Sequence, residues 1–403
     1  MGAREEVRGA TPVAVAREGR RDGVSPDDET PYVAGTLVDH HCHGLVLRDL
    51  DRPDLEGLMN EGSGAGRWTG SPFDSMLGLA IRRHCAPLLG LEPHTDADTY
   101  VLRRQVLGHE EVARRMLAAA GIDTFLVDTG FLPGEVCGPA EVAALADPGA
   151  RSHEVLRLET TAQDLLAAGT PVGELMTAVG LRLTESEAIA AKSIAAYRCG
   201  LDLPGDRPRE LDVLVALNAL RPDDAGTYRI ADPTVVAALA WTAIDARLPL
   251  QLHVGYGDSD VDLLRCDPLH LTPFLRATES QGVPVLLLHN YPFHRQAAYL
   301  AQVFDHVFMD VGLAVHNTGA LSRRMVEETL ELVPFGKLLH SSDAFGLSEL
   351  YLLGSLLLRR GLNGVLADLV QRDELTTSDA TRLGVMVAGG NARRAYGLEV
   401  TGR

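Results

Sequence analysis

Eight short runs of β-forming residues alternate with longer helical patterns, and this alternation limits the fold more than any other feature of the chain. The runs fall at 36–41, 123–128, 154–159, 188–193, 249–254, 284–289, 306–311 and 337–342. Apolar residues at helical spacing predict helices over 233–247, 268–281, 295–304, 322–332 and 348–360. At two of these starts an aspartate suited to N-capping stands directly before a proline, Asp232-Pro233 and Asp267-Pro268. Eight strands alternating with helices are what a parallel barrel requires, so the expected fold is α/β, a (β/α)8 TIM barrel. The main rival is a doubly wound open sheet. No G-x-G-x-x-G follows the first strand, so its dinucleotide-binding version has little support.

Two segments interrupt the pattern. Residues 45–120 and 162–187 are mostly helical insertions after strands 1 and 3, and in a barrel they would cover the C-terminal rim as lid candidates. The first contains the flexible E-G-S-G-A-G from Glu61 and a helically spaced run from Phe73. Residues 1–33 show no periodicity and are expected to form a flexible leader. That leaves 34–403 as a single barrel domain, ending in a helical segment over about 362–400.

Composition narrows the partners. A net charge of −18 disfavours a nucleic-acid backbone or an anionic membrane surface, leaving a small molecule as the expected partner. Five dispersed cysteines (42, 85, 137, 199 and 266) form no C-x-x-C pair and read as reduced thiols of a cytoplasmic protein. No apolar run approaches the roughly 20 residues of a membrane span. The N-terminus lacks the apolar core of a signal peptide.

In a barrel, active-site groups collect at the C-terminal ends of strands. Strand 1 ends in V-D-H-H-C-H-G, which holds three of the chain's fourteen histidines. Alternation lets His41 and His43 share one side while Cys42 turns away. His40 has the opposite phase and reads as support, and Asp39, deeper in the strand, as structural. Further strand ends bring Lys192, His253, His289 and Asp343. Any one histidine at a strand end is more often a satisfied polar cap, but the five elements together form a set of imidazole and carboxylate ligands. That set suits Zn²⁺ or a similar divalent ion; Mn, Fe and Ni are also accommodated.

The chain resembles the amidohydrolase superfamily of metal-dependent TIM barrels, in the branch related to the amidohydrolase-like domain fused to glutamine synthetase. The matching stretches include D-H-H-C-H-G-L from Asp39, K-S-I-A-A-Y-R-C-G-L from Lys192 and Q-L-H-V-G-Y-G-D from Gln251. Further matches are L-L-H-N-Y-P-F-H-R-Q-A from Leu287 and S-S-D-A-F-G-L-S-E-L-Y from Ser341.

The resemblance implies that His41, His43 and Asp343 bind a buried metal. It also implies that Lys192, if N6-carboxylated, bridges to a second ion held by His253 and His289. The other reading of Lys192 is a substrate or ion-pair lysine beside a single metal. A bound ion would lower the pKa of water and polarise a carbonyl. Asp343 would move the proton to the leaving amine, and with one metal His289 would polarise the carbonyl.

Glu159, Tyr197, Arg198, Tyr256, Tyr291 and His316 are candidate substrate-binding groups on the rim. Arg198 could clamp a carboxylate or pair with Glu159 or Asp202. Where adenosine-deaminase-like members carry a glutamate three residues after the strand-5 histidine, this chain has Tyr256, which disfavours that chemistry.

The expected activity is therefore metal-dependent hydrolysis of a C–N bond, an amide, in a small carboxylate-bearing molecule such as a γ-glutamyl or other amino-acid conjugate. The alternatives are a metal-dependent decarboxylase, a sugar-acid isomerase and a non-catalytic assembly domain. Barrels of this kind often associate, so a homo-oligomer is compatible with this reading.

Overall fold

Seven strands form one parallel sheet in sequence order. They are β1 (Leu37–Cys42), β2 (Ile122–Asp128), β3 (Arg151–Arg157), β4 (Ala190–Ser193), β5 (Leu250–Val254), β6 (Val285–His289) and β7 (Val307–Met309). The structure, a computed structural model, describes residues 32–62, 70–132 and 134–399. Residues 1–31 of the expected leader, and most of the E-G-S-G-A-G stretch, lie outside the described residues.

The eighth expected strand, 337–342, is not a regular strand. Its residues nevertheless connect the two edges of the sheet. Leu338 bridges Met309, and the Leu339 amide donates to the Met309 carbonyl at 2.9 Å. On the other side the His40 amide donates to the His340 carbonyl, and the Asp343 amide to the His41 carbonyl at 3.0 Å. A regular ladder fails because the Ser342 amide and hydroxyl both donate to the side chain of Asp39. Asp39 is thus structural, as its depth in the strand suggested.

Strands 3 and 7 are also displaced from expectation. β3 starts earlier and stops at Arg157, so Glu159 lies in the first turn of the helix Leu158–Ala167 and not at a strand end. A carboxylate there suits the helix N-terminus. β7 stops at Met309 because the Asp310 carboxylate accepts from the His289 and Gly312 amides, where a ladder would have continued.

Of the five expected helices, four form as single helices: Pro233–Asp245, His294–Val303, Ser322–Leu330 and Ser348–Gln371. The last runs past its expected end. The fifth is broken into 3₁₀ turns at Pro268–Leu271 and Glu279–Gln281 around a short helix, Thr272–Thr278. Pro273, which lacks an N–H, stands in the first turn of that short helix. Between β1 and β2 the described chain is mostly helical, including Ala97–Leu107 and His109–Ala120. Leu175–Glu185 lies between β3 and β4.

Side-chain alternation along the strands places the site. Leu126, Val155 and Ala190 belong to one small buried apolar cluster with Val38, Leu286 and Leu288. Two residues further along each strand, on the same face, come Asp128, Arg157 and Lys192. The opposite face, including Leu250, Leu252, Val285 and Leu287, packs into the larger cluster formed with the helices. Among the described residues, no helix is long and apolar enough to cross a membrane. All five cysteines are free and buried.

Candidate metal centre

At the C-terminal end of the sheet the five sequence elements converge. The Nε2 atoms of His41 and His43 lie 3.2 and 3.4 Å from Asp343 Oδ1, and His289 Nδ1 lies 3.3 Å from Asp343 Oδ2. Lys192 Nζ is 2.9 Å from His41 Nε2 and 3.6 Å from Asp128 Oδ2. All six residues are buried. Two overlapping groups bring their donor atoms within 4.8 Å of one another: His41, His289 and Asp343, and His41, His43 and Asp128.

These residues fit a metal ion. Both ring nitrogens of His289 are buried without a hydrogen-bond partner, a costly state that an ion would relieve. The protonation states also suit ligation. Burial, then the neighbouring Lys192 ammonium, lowers His41 to about 4. Burial likewise lowers His253 to about 3 and holds His289 well below the usual imidazole range. For Asp343, burial works to raise the pKa, but His289, His41 and His43 outweigh it and hold the carboxylate ionised. Neutral imidazoles around an ionised carboxylate are what a divalent cation binds.

His253 stands apart from both three-residue groups. Its Nε2 lies 3.0 Å from the Tyr256 carbonyl, and its ring packs on His289 at 4.7 Å and Tyr197 at 4.5 Å between centroids. His289 approaches Asp343, so it joins the His41 group as well as neighbouring His253.

Supporting contacts fix the ligands. Gln251 Oε1 lies 2.8 Å from His41 Nδ1, while its Nε2 donates to the Tyr396 hydroxyl and the His40 carbonyl. The His40 ring spans Tyr396 and Asp310 at 2.9 and 3.0 Å, the supporting part expected of it. Strict alternation does not hold here, because His40 and His41 both enter this hydrogen-bonded cluster. β1 shifts register against β2 between Asp39 and Cys42, and such an irregularity re-aims side chains.

Asp128 was missed by the sequence reading. Its carboxylate takes the Arg157 guanidinium at 2.7 Å, and its carbonyl oxygen lies 3.2 Å from His43 Nδ1. Burial favours the protonated acid, but Arg157 and Lys192 prevail and keep it ionised. An aspartate closing strand 2 was the available signal.

A cavity of about 200 Å³ opens over the centre, lined among others by Arg157, Lys192, Tyr197, Arg198, His253 and Asp343. Tyr197 and Arg198 thus stand where substrate could reach them. The other four rim candidates do not line it. Glu159 accepts from the Ser193 hydroxyl at 2.6 Å and the Ile194 amide at 3.1 Å, bracing the turn after Lys192. The Tyr256 hydroxyl accepts from Asn317, His316 is buried in the helix Gly312–Thr318, and Tyr291 stacks on His294. Among the described residues Arg198 pairs with neither Glu159 nor Asp202, and its Nε has no partner.

The H-V-G-Y-G-D stretch is explained by close approach. Gly255 sits at φ 86°, where a Cβ would lie 2.2 Å from the Tyr291 carbonyl oxygen, and one on Gly257 would strike the Tyr197 hydroxyl.

No protein-family model matches the chain. Protein fluG of Emericella nidulans is 30% identical over 229 residues, which cover 54% of this chain. The chain spans only 26% of that protein's length. A proposed metal-dependent hydrolase from Lactobacillus casei superposes with a TM-score of 0.75 at 25% identity, over 92% of this chain and 98% of that one. A uronate isomerase from Thermotoga maritima shares the fold at a TM-score of 0.58 and 11% identity, over 90% and 94%. The chain thus shares its fold with that metal-dependent hydrolase and carries, among the described residues, a buried His/Asp set able to hold an ion.

Proposed function

We propose that the protein is a metal-dependent hydrolase that cleaves an amide C–N bond in a small carboxylate-bearing substrate, such as a γ-glutamyl or other amino-acid conjugate. The observation that carries this reading is the buried set of His41, His289 and Asp343, with donor atoms within 4.8 Å and both His289 nitrogens unpartnered. His41, His43, Asp343 and His289 would hold the ion, with Zn²⁺ first among candidates for such donors. Lys192, once N6-carboxylated, and His253 would complete a second position. Burial, against the pull of Asp128, lowers the Lys192 pKa, which favours the neutral amine that reacts with CO₂.

A bound ion supplies polarisation of the scissile carbonyl and acidification of water. The remaining work falls to the chain. Asp343, held ionised beside three imidazoles, accepts the proton of the attacking water and delivers it to the departing nitrogen. Arg198, lining the cavity without an acidic partner, takes the substrate carboxylate bidentately. Tyr197 closes the cavity beside His253. We further propose that residues 338–346 occupy the eighth position of a (β/α)8 barrel, that the segments after strands 1 and 3 act as rim insertions, and that the protein works in the cytoplasm, with homo-oligomers allowed.

The test is metal analysis of the purified protein with a screen of amides, lactones and carboxylic acids. Metal-dependent release of amine from an amide is expected. Release of CO₂ from a carboxylic acid instead would make the protein a decarboxylase. Full activity in metal-free protein would overturn the reading.

A further inference from the structure

The charged groups around the cavity are paired almost throughout. Arg157 is held by Asp128, Lys192 by Asp128 and His41, Asp343 by three histidines, and Asp260 by Arg229 at 3.0 Å. Asp258 is exposed and accepts the Asp260 amide. Of the lining groups that are not exposed, two of opposite sign are left over among the described residues. One is Arg198, with its unpartnered Nε; the other is Glu61, from the segment between β1 and β2.

Glu61 is unusual because its Oε1 is buried yet has no hydrogen-bond partner, and no cation lies within ion-pair distance of it among the described residues. A carboxyl oxygen buried without a partner is costly, so a native site that keeps one has a use for it. Burial, reinforced by the fields of Asp343 and Asp258, pushes its carboxyl up to about 8. Tyr197 stands in the field of the same three carboxyls. This end of the cavity therefore favours positive charge, and a cationic nitrogen entering it would remove the penalty on Glu61.

We propose that Glu61 is the subsite for an ammonium group of the substrate, so that Glu61 and Arg198 together select a zwitterion, the α-amino-acid end of an amide conjugate. This assignment rests on the hydrolase reading for its place in a reaction, but not for its binding consequence. A charge-assisted contact in a desolvated site discriminates by roughly tenfold or more against a ligand that lacks the charged group.

Titration calorimetry of metal-loaded protein with L-glutamate and with glutarate, its deamino counterpart, isolates the ammonium. Wild type is expected to bind glutamate about tenfold or more tightly than glutarate, and in Glu61→Gln that ratio should fall toward one. The wild-type comparison stands even if the variant does not fold. No difference between the two ligands in wild type, or a ratio that survives in Glu61→Gln, overturns the subsite. Parallel assays with γ-glutamyl and glutaryl anilides separate the two proposals. Cleavage of both at equal kcat/KM removes the ammonium subsite and leaves the hydrolase. Failure to cleave either, with a Glu61-dependent glutamate preference, removes the amide reaction and leaves the subsite.

Discussion

His289 Nδ1 lies 3.3 Å from Asp343 Oδ2, and both residues hold a left-handed backbone, at φ 68° and 50°. Side chains of L residues rarely adopt this region, and each instance costs on the order of 1–3 kcal/mol. The chain accepts this cost at both residues, whose imidazole and carboxylate face one another. Replacing either residue by alanine should leave a folded protein, by circular dichroism, that has lost bound metal by elemental analysis. Activity should fall by more than about a hundredfold, since loss of a ligand exceeds loss of a supporting contact. Full metal retention in Asp343→Ala would place the ion elsewhere.

Gln251 never touches the cavity but sets the orientation of His41 through Nδ1. Gln251→Leu keeps the volume and removes the hydrogen bonds. Metal affinity, measured by chelator competition, should drop by about 10–100-fold. An unchanged affinity would mean that packing alone orients the ring.

Ion binding to the native state alone raises stability by about 2.7 kcal/mol when free metal is a hundred times its Kd. Stripping with a chelator should therefore lower the melting temperature, and readdition of Zn²⁺ should restore it. In the Asp343→Ala variant the same treatment should produce little shift. A melting temperature indifferent to chelation in wild type would count against a resident ion.

Arg104 and Glu349 form a buried pair, with Nε–Oε1 at 2.6 Å and Nη2–Oε2 at 3.1 Å, joined by the Tyr100 hydroxyl at 2.8 Å. Burial works to raise the Glu349 pKa, but Arg104 outweighs it and holds it below the usual value. Because the folded pKa is depressed, the pair stabilises fully above the unfolded value of about 4.3. That contribution is lost as pH falls through the lower folded value. Urea unfolding should show Arg104→Met destabilised by about 3–5 kcal/mol near neutrality, with most of the loss recovered in a double Arg104→Met, Glu349→Leu variant. The gap between wild type and Arg104→Met should narrow on acidification.

Arg198→Lys retains charge but loses the planar fork. If the guanidinium clamps a carboxylate in two places, KM for carboxylate substrates should rise by roughly tenfold with kcat little changed. A fall in kcat alone would move Arg198 toward the chemistry.

The parts legible in sequence were those governed by short periods. Seven of the eight β runs are strands, because short, largely continuous runs of apolar and β-branched residues suit a parallel sheet buried on both faces. His41, His43, Lys192, His253, His289 and Asp343 come together because strand ends in a parallel sheet share one rim. What escaped was governed by contacts between distant residues. Ser342 gives its amide to Asp39 and so never forms a ladder, Glu159 slips into a helix, and Asp128 gains meaning only beside Arg157 and His43. The register shift in β1 was likewise not legible, although strand phase had separated His40 from His41: it lets both rings enter one hydrogen-bonded cluster.

The hydrogen bond from the Asp343 amide to the His41 carbonyl joins residues some three hundred positions apart in the sequence. His41 is synthesised some three hundred residues before the carboxylate of Asp343, which completes its donor set. A chelate that needs both His41 and Asp343 would therefore be complete only once the residues between them have been made and the two have been brought together.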